Sequence, residues 1–225
     1  MNSESRRRST RDRPAKPPLS EDAVVDAALE ILASQGVEAV TMRKVAAALD
    51  TGPASLYVYV SGREGLLQAM QERIVAAVEL EAPDAGRWRD QVHELLARLR
   101  RAFIAHPGIA ATAIAAPPRS EATVRLLENQ LGILLAGGLA PQDAAWAVDI
   151  FATLVNHSAI EADARLAAPR DRADELYERF TALPPERFPL ITAHAAQLVT
   201  GDSETRFHAA VDAVIDGLLA RTARR

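Results

Sequence analysis

Between residues 41 and 63 the chain gathers hydroxyl and cationic side chains at short intervals: Thr41, Arg43 and Lys44, then Ser55, Tyr57 and Tyr59, then Arg63. Hydroxyls and backbone amides at helix starts hold phosphates, and an arginine fork matches the O6 and N7 acceptors of guanine. The chemistry open to this stretch is recognition of a nucleic-acid backbone and its base edges.

Bond-making chemistry has weaker support. The histidines His93, His106, His157, His194 and His208 are scattered over different segments. His157 and Glu161 stand four residues apart, a spacing that puts both on one helix face, where they could hold a metal or act as acid and base. No glycine loop of the nucleotide-binding kinds and no Gly-x-Ser-x-Gly elbow is present. The chain has no cysteine, which excludes disulfides, thiolate metal sites and a cysteine nucleophile together. The expectation is no catalytic residue, no cofactor and no metal, with a helical-bundle metal enzyme as the least favoured reading.

The elements that must carry the 41–63 cluster follow from hydrophobic periodicity. Ala23, Val24, Ala27, Ala28, Ile31 and Leu32 form one stripe at helical spacing, with Ser20 placed as N-cap and Gly36 as the stop. Thr41 can cap a short second helix whose Val45, Ala46 and Leu49 dock on the first, leaving Arg43 and Lys44 outside. Asp50-Thr51-Gly52-Pro53 is a tight turn, and Pro53 suits the first turn of a third helix running to about Val60. Two short helices joined by such a turn, the second rich in donors, is the logic of helix-turn-helix DNA binding.

At this point the chain resembles the TetR family of transcriptional regulators. The resemblance over residues 20–67 lies in Val40-Thr41-Met42-Arg43-Lys44-Val45-Ala46-Ala47-Ala48-Leu49, then Leu56-Tyr57-Val58-Tyr59-Val60, then Arg63-Glu64-Gly65-Leu66-Leu67. It implies that Thr41 and Tyr57 contact phosphates, that Arg43 reads a base, and that Ser55 and Tyr59 occupy further recognition positions. Arg63 matches the basic residue at the start of the fourth helix, and Lys44 belongs to the same basic face. Asp50 stands where the family usually has glycine, and Gly52-Pro53 replaces the usual polar cap and first contact residue. Pro53 is therefore a contact position of altered chemistry, and the operator cannot be copied from a relative.

Beyond the headpiece the apolar stripes continue without any strand pattern, so the expected fold is all-α: a three-helix helix-turn-helix headpiece and a larger helical ligand-binding and dimerisation domain. The expected helices begin with a fourth carrying Leu66 to Val78 and a fifth from Trp88 to Phe103, ended by His106-Pro107-Gly108. A sixth carries Ile109 to Ile114, a seventh spans 121–135, and an eighth opens at Pro141 and is apolar nearly all round. A Pro- and Arg-containing connection over 165–189, one helix over 188–198 and a terminal helix with Gly217 in its stripe complete the chain. The domain boundaries expected are 1–19, 20–67 and 68–225.

The body resembles the effector domain of the tetracycline-repressor branch in Leu127-Glu128-Asn129-Gln130-Leu131, Gly138-Leu139, Phe188-Pro189-Leu190 and Asp216-Gly217-Leu218. That likeness implies a homodimer built on the eighth and last long helices, a drug-contacting role for Gln130 and a carboxylate, Glu161, offered to the partner subunit's site. The magnesium-ligating histidine of that branch falls near Ala113, and a hard metal cannot use a methyl group. A more apolar pocket is expected, lined by Leu95, Leu99, Phe103, Leu127, Gln130 and Val148 with Glu161 nearby.

The 225 residues carry a net charge of −4, against coating of nucleic acid by bulk charge. The charge is uneven: residues 1–19 hold six basic and two acidic residues, whereas residues 20–65 hold three basic and seven acidic. The basic arm, with three prolines and almost no apolar residue, is expected to be disordered until it meets a polyanion and to supply phosphate or minor-groove contacts. The longest stretch without Asp, Glu, Lys or Arg, Ala102 to Pro118, is broken by prolines and a glycine, and no secretory signal is evident, so the expected location is the cytoplasm without membrane contact. The reading is a homodimeric repressor released from a palindromic operator on double-stranded DNA by a small hydrophobic effector. The alternative is a constitutive dimeric DNA-binding protein without effector.

Overall fold

A computed structural model describes residues 18–112, 120–166 and 172–224. The described residues form α-helices and one short 3-10 turn, with no strand among them. The basic arm, Ala113, Ile114 and Pro117-Pro118 lie outside them.

Helix α1, Glu21–Gln35, starts where Ser20 Oγ accepts the Ala23 N–H at 3.2 Å, with Glu21 and Asp22 complementing the helix dipole. It buries Val24, Val25, Ala27, Ala28, Ile31 and Leu32, and ends at Gly36, whose φ of +81° is a left-handed position. A 3-10 turn, Val37–Ala39, leads to α2, Met42–Ala48, capped by Thr41 Oγ1 on the Lys44 N–H at 3.2 Å. Asp50 turns the chain with φ +50°, which accounts for the glycine expected at this place, and α3, Pro53–Leu56, follows with Pro53 at its first turn. The third helix is one turn shorter than its periodicity predicts. Leu56 and Val60 are drawn into the core, and the chain between them closes as turns.

Helix α4, Arg63–Ala76, joins the two halves: Leu66, Leu67 and Met70 are buried with the headpiece, while Ile74 and Val75 continue the same core towards the body. Its base is tied to α1 by Arg73, which pairs with Asp22 and, at 2.8 Å, with Asp26. The linker to α5, Trp88–Ile104, is held by the buried Gln91, which donates to Ala82 O and accepts from Asp84 N, both at 2.8 Å. Arg98 pairs with Glu81 of the same linker, and this hydrogen bond holds the Glu81 carboxyl below its ordinary range.

The body continues with α6, Ile109–Thr112, α7, Glu121–Ala136, and α8, Pro141–Leu166. The terminal α12, Ser203–Thr222, begins where Asp202 Oδ1 accepts the Thr205 N–H at 2.7 Å. Helices α5, α8 and α12 pack together, and Arg100 on α5 bridges Ser158 of α8 at 2.7 Å and Ser203 of α12 at 3.2 Å. Gly137 allows the end of α7 to approach Trp88, since a Cβ there would lie 2.3 Å from the indole.

Two departures from the sequence expectation fall in the segment before α12. The connection over 165–189 contains a helix, α9, Arg172–Thr181, whose Asp174 and Glu175 sit in the first turn and Arg179 in the last, where the dipole favours each sign. Its Leu176 and Tyr177 are exposed, so the segment carried no core stripe to reveal it. The helix expected over 188–198 is two short ones, α10, Pro189–Ala193, and α11, Ala195–Val199, broken at His194 with φ −115° and ψ 20°.

Candidate functional site

Arg43 and Lys44 of α2, Pro53 and Ser55 of α3, and Tyr57 and Val58 of the turn that follows are exposed to solvent. Tyr57 is 61% exposed and Val58 80%, values that no packing role explains. The Lys44 ammonium reaches Gln35 Oε1 at 2.7 Å, while Arg43 projects into solvent two residues beyond the cap. The start of α2 offers backbone amides, and its Thr41 hydroxyl is engaged with one of them.

Two of the candidate contact residues are also fastened within the headpiece. Tyr59 donates its hydroxyl to Leu19 O at 2.7 Å, fixing the chain just where the basic arm departs. Arg63 donates from Nε to Val40 O at 2.9 Å and from Nη2 to Val37 O at 3.0 Å. Its guanidinium therefore clamps the 3-10 turn and the approach to α2 on the start of α4. Neither internal role was visible in the sequence, because all three partners are backbone carbonyls far along the chain.

A cavity of about 540 Å³ opens in the body between α4, α5, α7 and α8. Leu99, Phe103, Leu127, Gln130 and Val148 line it, as does Leu96. Leu95 is buried outside the lining. One residue along α5 turns the side chain through about 100°, so Leu96 takes the place that Leu95 was expected to hold. Glu161 also lies outside the lining and pairs with Arg165 of its own helix at 2.7 Å, whereas His157, one turn earlier, lines the cavity. Sequence reasoning missed the α4 wall, Gln68, Gln71 and Glu72, whose spacing of three and four residues marks one helix face.

Gln130 is the polar group that gives this cavity a purpose. It is 5% exposed and lines the cavity, where its carboxamide can offer up to four hydrogen bonds to an occupant.

The cavity and the α2–α3 region share connecting elements. Helix α4 lines the cavity through Gln68 to Val75 and starts at Arg63. A second link runs through the loop after α5: the Gly108 N–H donates to Asp163 Oδ2 of α8 at 2.8 Å, and the same glycine lies against Val37 of the headpiece.

Residues 24–70 match the family described as bacterial regulatory proteins, tetR family, and residues 81–222 match the tetracyclin repressor-like C-terminal domain. The chain belongs to the TetR family. It is thus a transcriptional regulator and not an enzyme. The TetR-family protein ActR of Streptomyces coelicolor, solved in complex with (S)-DNPA, is 36% identical, covers 90% of this chain and 98% of its own, and superposes with a TM-score of 0.81. Its complex with actinorhodin gives a TM-score of 0.83 at 35% identity over 92% of this chain and 98% of its own. The class D tetracycline repressor protein of Escherichia coli is 27% identical over 88% of each chain. An HTH-type transcriptional regulator of Saccharopolyspora erythraea is 33% identical over 57% of this chain, which spans 54% of that relative. No helix among the described residues is long and apolar enough to cross a membrane.

Proposed function

We propose that this TetR-family regulator is a homodimeric repressor that holds a palindromic operator through α2 and α3 and leaves it when a small hydrophobic effector fills the α4–α8 cavity. The observation that carries the reading is Gln130, a carboxamide only 5% exposed that lines a cavity whose wall is the helix that begins at the headpiece. The proposed division of labour is residues 20–67 for DNA, residues 68–225 for effector and dimer, and residues 1–19 as a basic arm.

On the DNA side, Thr41 and Tyr57 engage phosphates while Arg43 reads a base. Lys44, Pro53, Ser55 and Tyr59 complete the contact face and Arg63 supports it. The exposure of Arg43, Ser55 and Tyr57 supports this assignment. Two-fold symmetry places two such surfaces about 34–36 Å apart, one helical turn of DNA.

Dimerisation through α8 and α12 is supported by Trp146 and Ile150, apolar residues that α8 leaves exposed. On α12 a Cβ added to Gly217 would meet nothing within 4 Å, leaving room for a closely crossing helix. On the effector side, an occupant that hydrogen-bonds Gln130 and fills the cavity pushes on α4 and on the Asp163–Gly108 link. Since the two headpieces must hold one spacing to bind, the DNA-competent and ligand-filled states exclude each other. The structures of ActR in complex with (S)-DNPA and with actinorhodin support a small-molecule effector for this fold.

The test is sedimentation and footprinting of the purified protein on the DNA flanking its own gene, with a screen of hydrophobic compounds for release. The reading predicts a dimer, a palindromic footprint and a releasing compound that loses potency on Gln130→Leu. A monomer, or an operator complex that no compound weakens, would contradict it.

A further inference from the structure

The headpiece core accounts for most of the segment that runs through and past α3. Leu56 and Val60 are buried four residues apart, at 0% and 5% exposure, and the N–H groups of Tyr59 and Val60 both donate to Leu56 O at 3.0 Å, so a helical turn continues beyond the end of α3. Tyr59 is fixed by its hydroxyl on Leu19 O. Val58 is the exception: it is 80% exposed, more than any other large apolar side chain among the described residues.

Helical geometry says where that side chain points. At about 100° per residue, Val58 stands about 200° round the turn from both Leu56 and Val60, which faces it away from the core. Ala54, four residues earlier, and Ser55, three residues earlier, share this outward side, and both are exposed. An isopropyl group can neither donate to a phosphate nor pair with a base acceptor, and a polar base edge covered by it would lose water without replacement. The major groove offers one apolar group on its base edges, the C5-methyl of thymine. Cytosine in its place lacks the methyl and sets an amino donor beside the valine, unpaired.

We propose that Val58 is a specificity-determining residue that packs on the C5-methyl of one thymine in each operator half-site, with the Ala54 methyl beside it. The proposal rests on the reading that α2 and α3 hold an operator. Base reading is then divided: Arg43 selects through hydrogen bonds, and Val58 selects T·A over C·G through apolar contact and through the unpaired donor that cytosine would leave. One methyl group taken out of water is worth about fourfold in affinity, so a palindrome that loses it from both half-sites weakens by about tenfold or more.

The experiment replaces each thymine of the footprinted operator in turn by deoxyuridine, in both half-sites together, and measures affinity by fluorescence anisotropy for the full-length wild-type protein and for Val58→Ala, with thermal melting of each to show that it is folded. Deoxyuridine pairs with adenine as thymine does and lacks only the methyl. For the wild-type protein, one symmetric position is expected to lose about tenfold or more on the substitution. Val58→Ala is expected to bind the thymine operator several-fold more weakly and to lose no more than about twofold on deoxyuridine at that position. Deoxyuridine tolerated by the wild-type protein at every position, or a sensitivity that Val58→Ala retains in full, overturns the proposal; if the operator is still preferred to a scrambled duplex, the operator reading stands without it. No preference for the operator over a scrambled duplex overturns the operator reading and the proposal together.

Discussion

Gly108, in the loop after α5, lies directly against Val37 of the headpiece: a Cβ built on the glycine would stand 2.4 Å from Val37 Cγ1. The loop is held there by the Gly108 N–H on Asp163 Oδ2, and Val37 O in turn accepts from Arg63. A continuous set of contacts therefore runs from α8, through the loop, to the turn that precedes α2.

Gly108→Ala tests that link. The substitution adds an overlapping methyl group and forces a side chain onto a φ of +87°, which should cost about 1–3 kcal/mol. The expected outcome is a lower melting temperature with operator affinity reduced at least about tenfold. Unchanged operator affinity would show that the contact does not set the headpiece position.

Tyr59→Phe removes the hydroxyl that holds Leu19 O and should cost about 1 kcal/mol of stability. Because the basic arm begins there, the variant is also expected to bind operator a few-fold less well, with a flatter dependence on salt as arm contacts with phosphate are lost. Fluorescence anisotropy over a salt series checks both. A steeper slope would contradict the role given to the arm.

The start of α12 should be sensitive to acid. Asp202 has its carboxyl pKa lowered from 3.8, first by the backbone N–H of Thr205 that it caps. A carboxyl with a depressed folded pKa stabilises above its unfolded value and loses that contribution as the pH falls through the folded value. Asp202→Ala is therefore expected to lower the melting temperature at neutral pH, with the gap to the wild-type protein closing below about pH 4. A gap independent of pH would show that the cap is not ionic in origin.

Much of the headpiece could be read from the sequence because its signals are local. Ser20, Gly36, Thr41 and Pro53 act on their own turns, and the structure shows each at a helix boundary. The body was legible wherever a stripe faced the core, as in α5 and α7. It was not legible where burial is small: α9 leaves Leu176 and Tyr177 exposed, and the break at His194 has no glycine or proline to mark it. At the cavity, a pattern of apolar residues cannot say which side of a helix faces empty space and which faces core. Leu95 and Leu96 are both buried, and only the packing of neighbouring helices gives the cavity to Leu96.

In the proposed regulator α2 and α3 read a specific operator. The affinity of the purified protein for the proposed palindrome and for a scrambled duplex, measured with the wild-type protein and Arg43→Ala at two salt concentrations, tests that reading. Recognition by the Arg43 fork predicts a loss of about 1–3 kcal/mol on the palindrome, little change on the scrambled duplex and a preserved fold. Equal weakening on both duplexes, or no weakening on either, would contradict it.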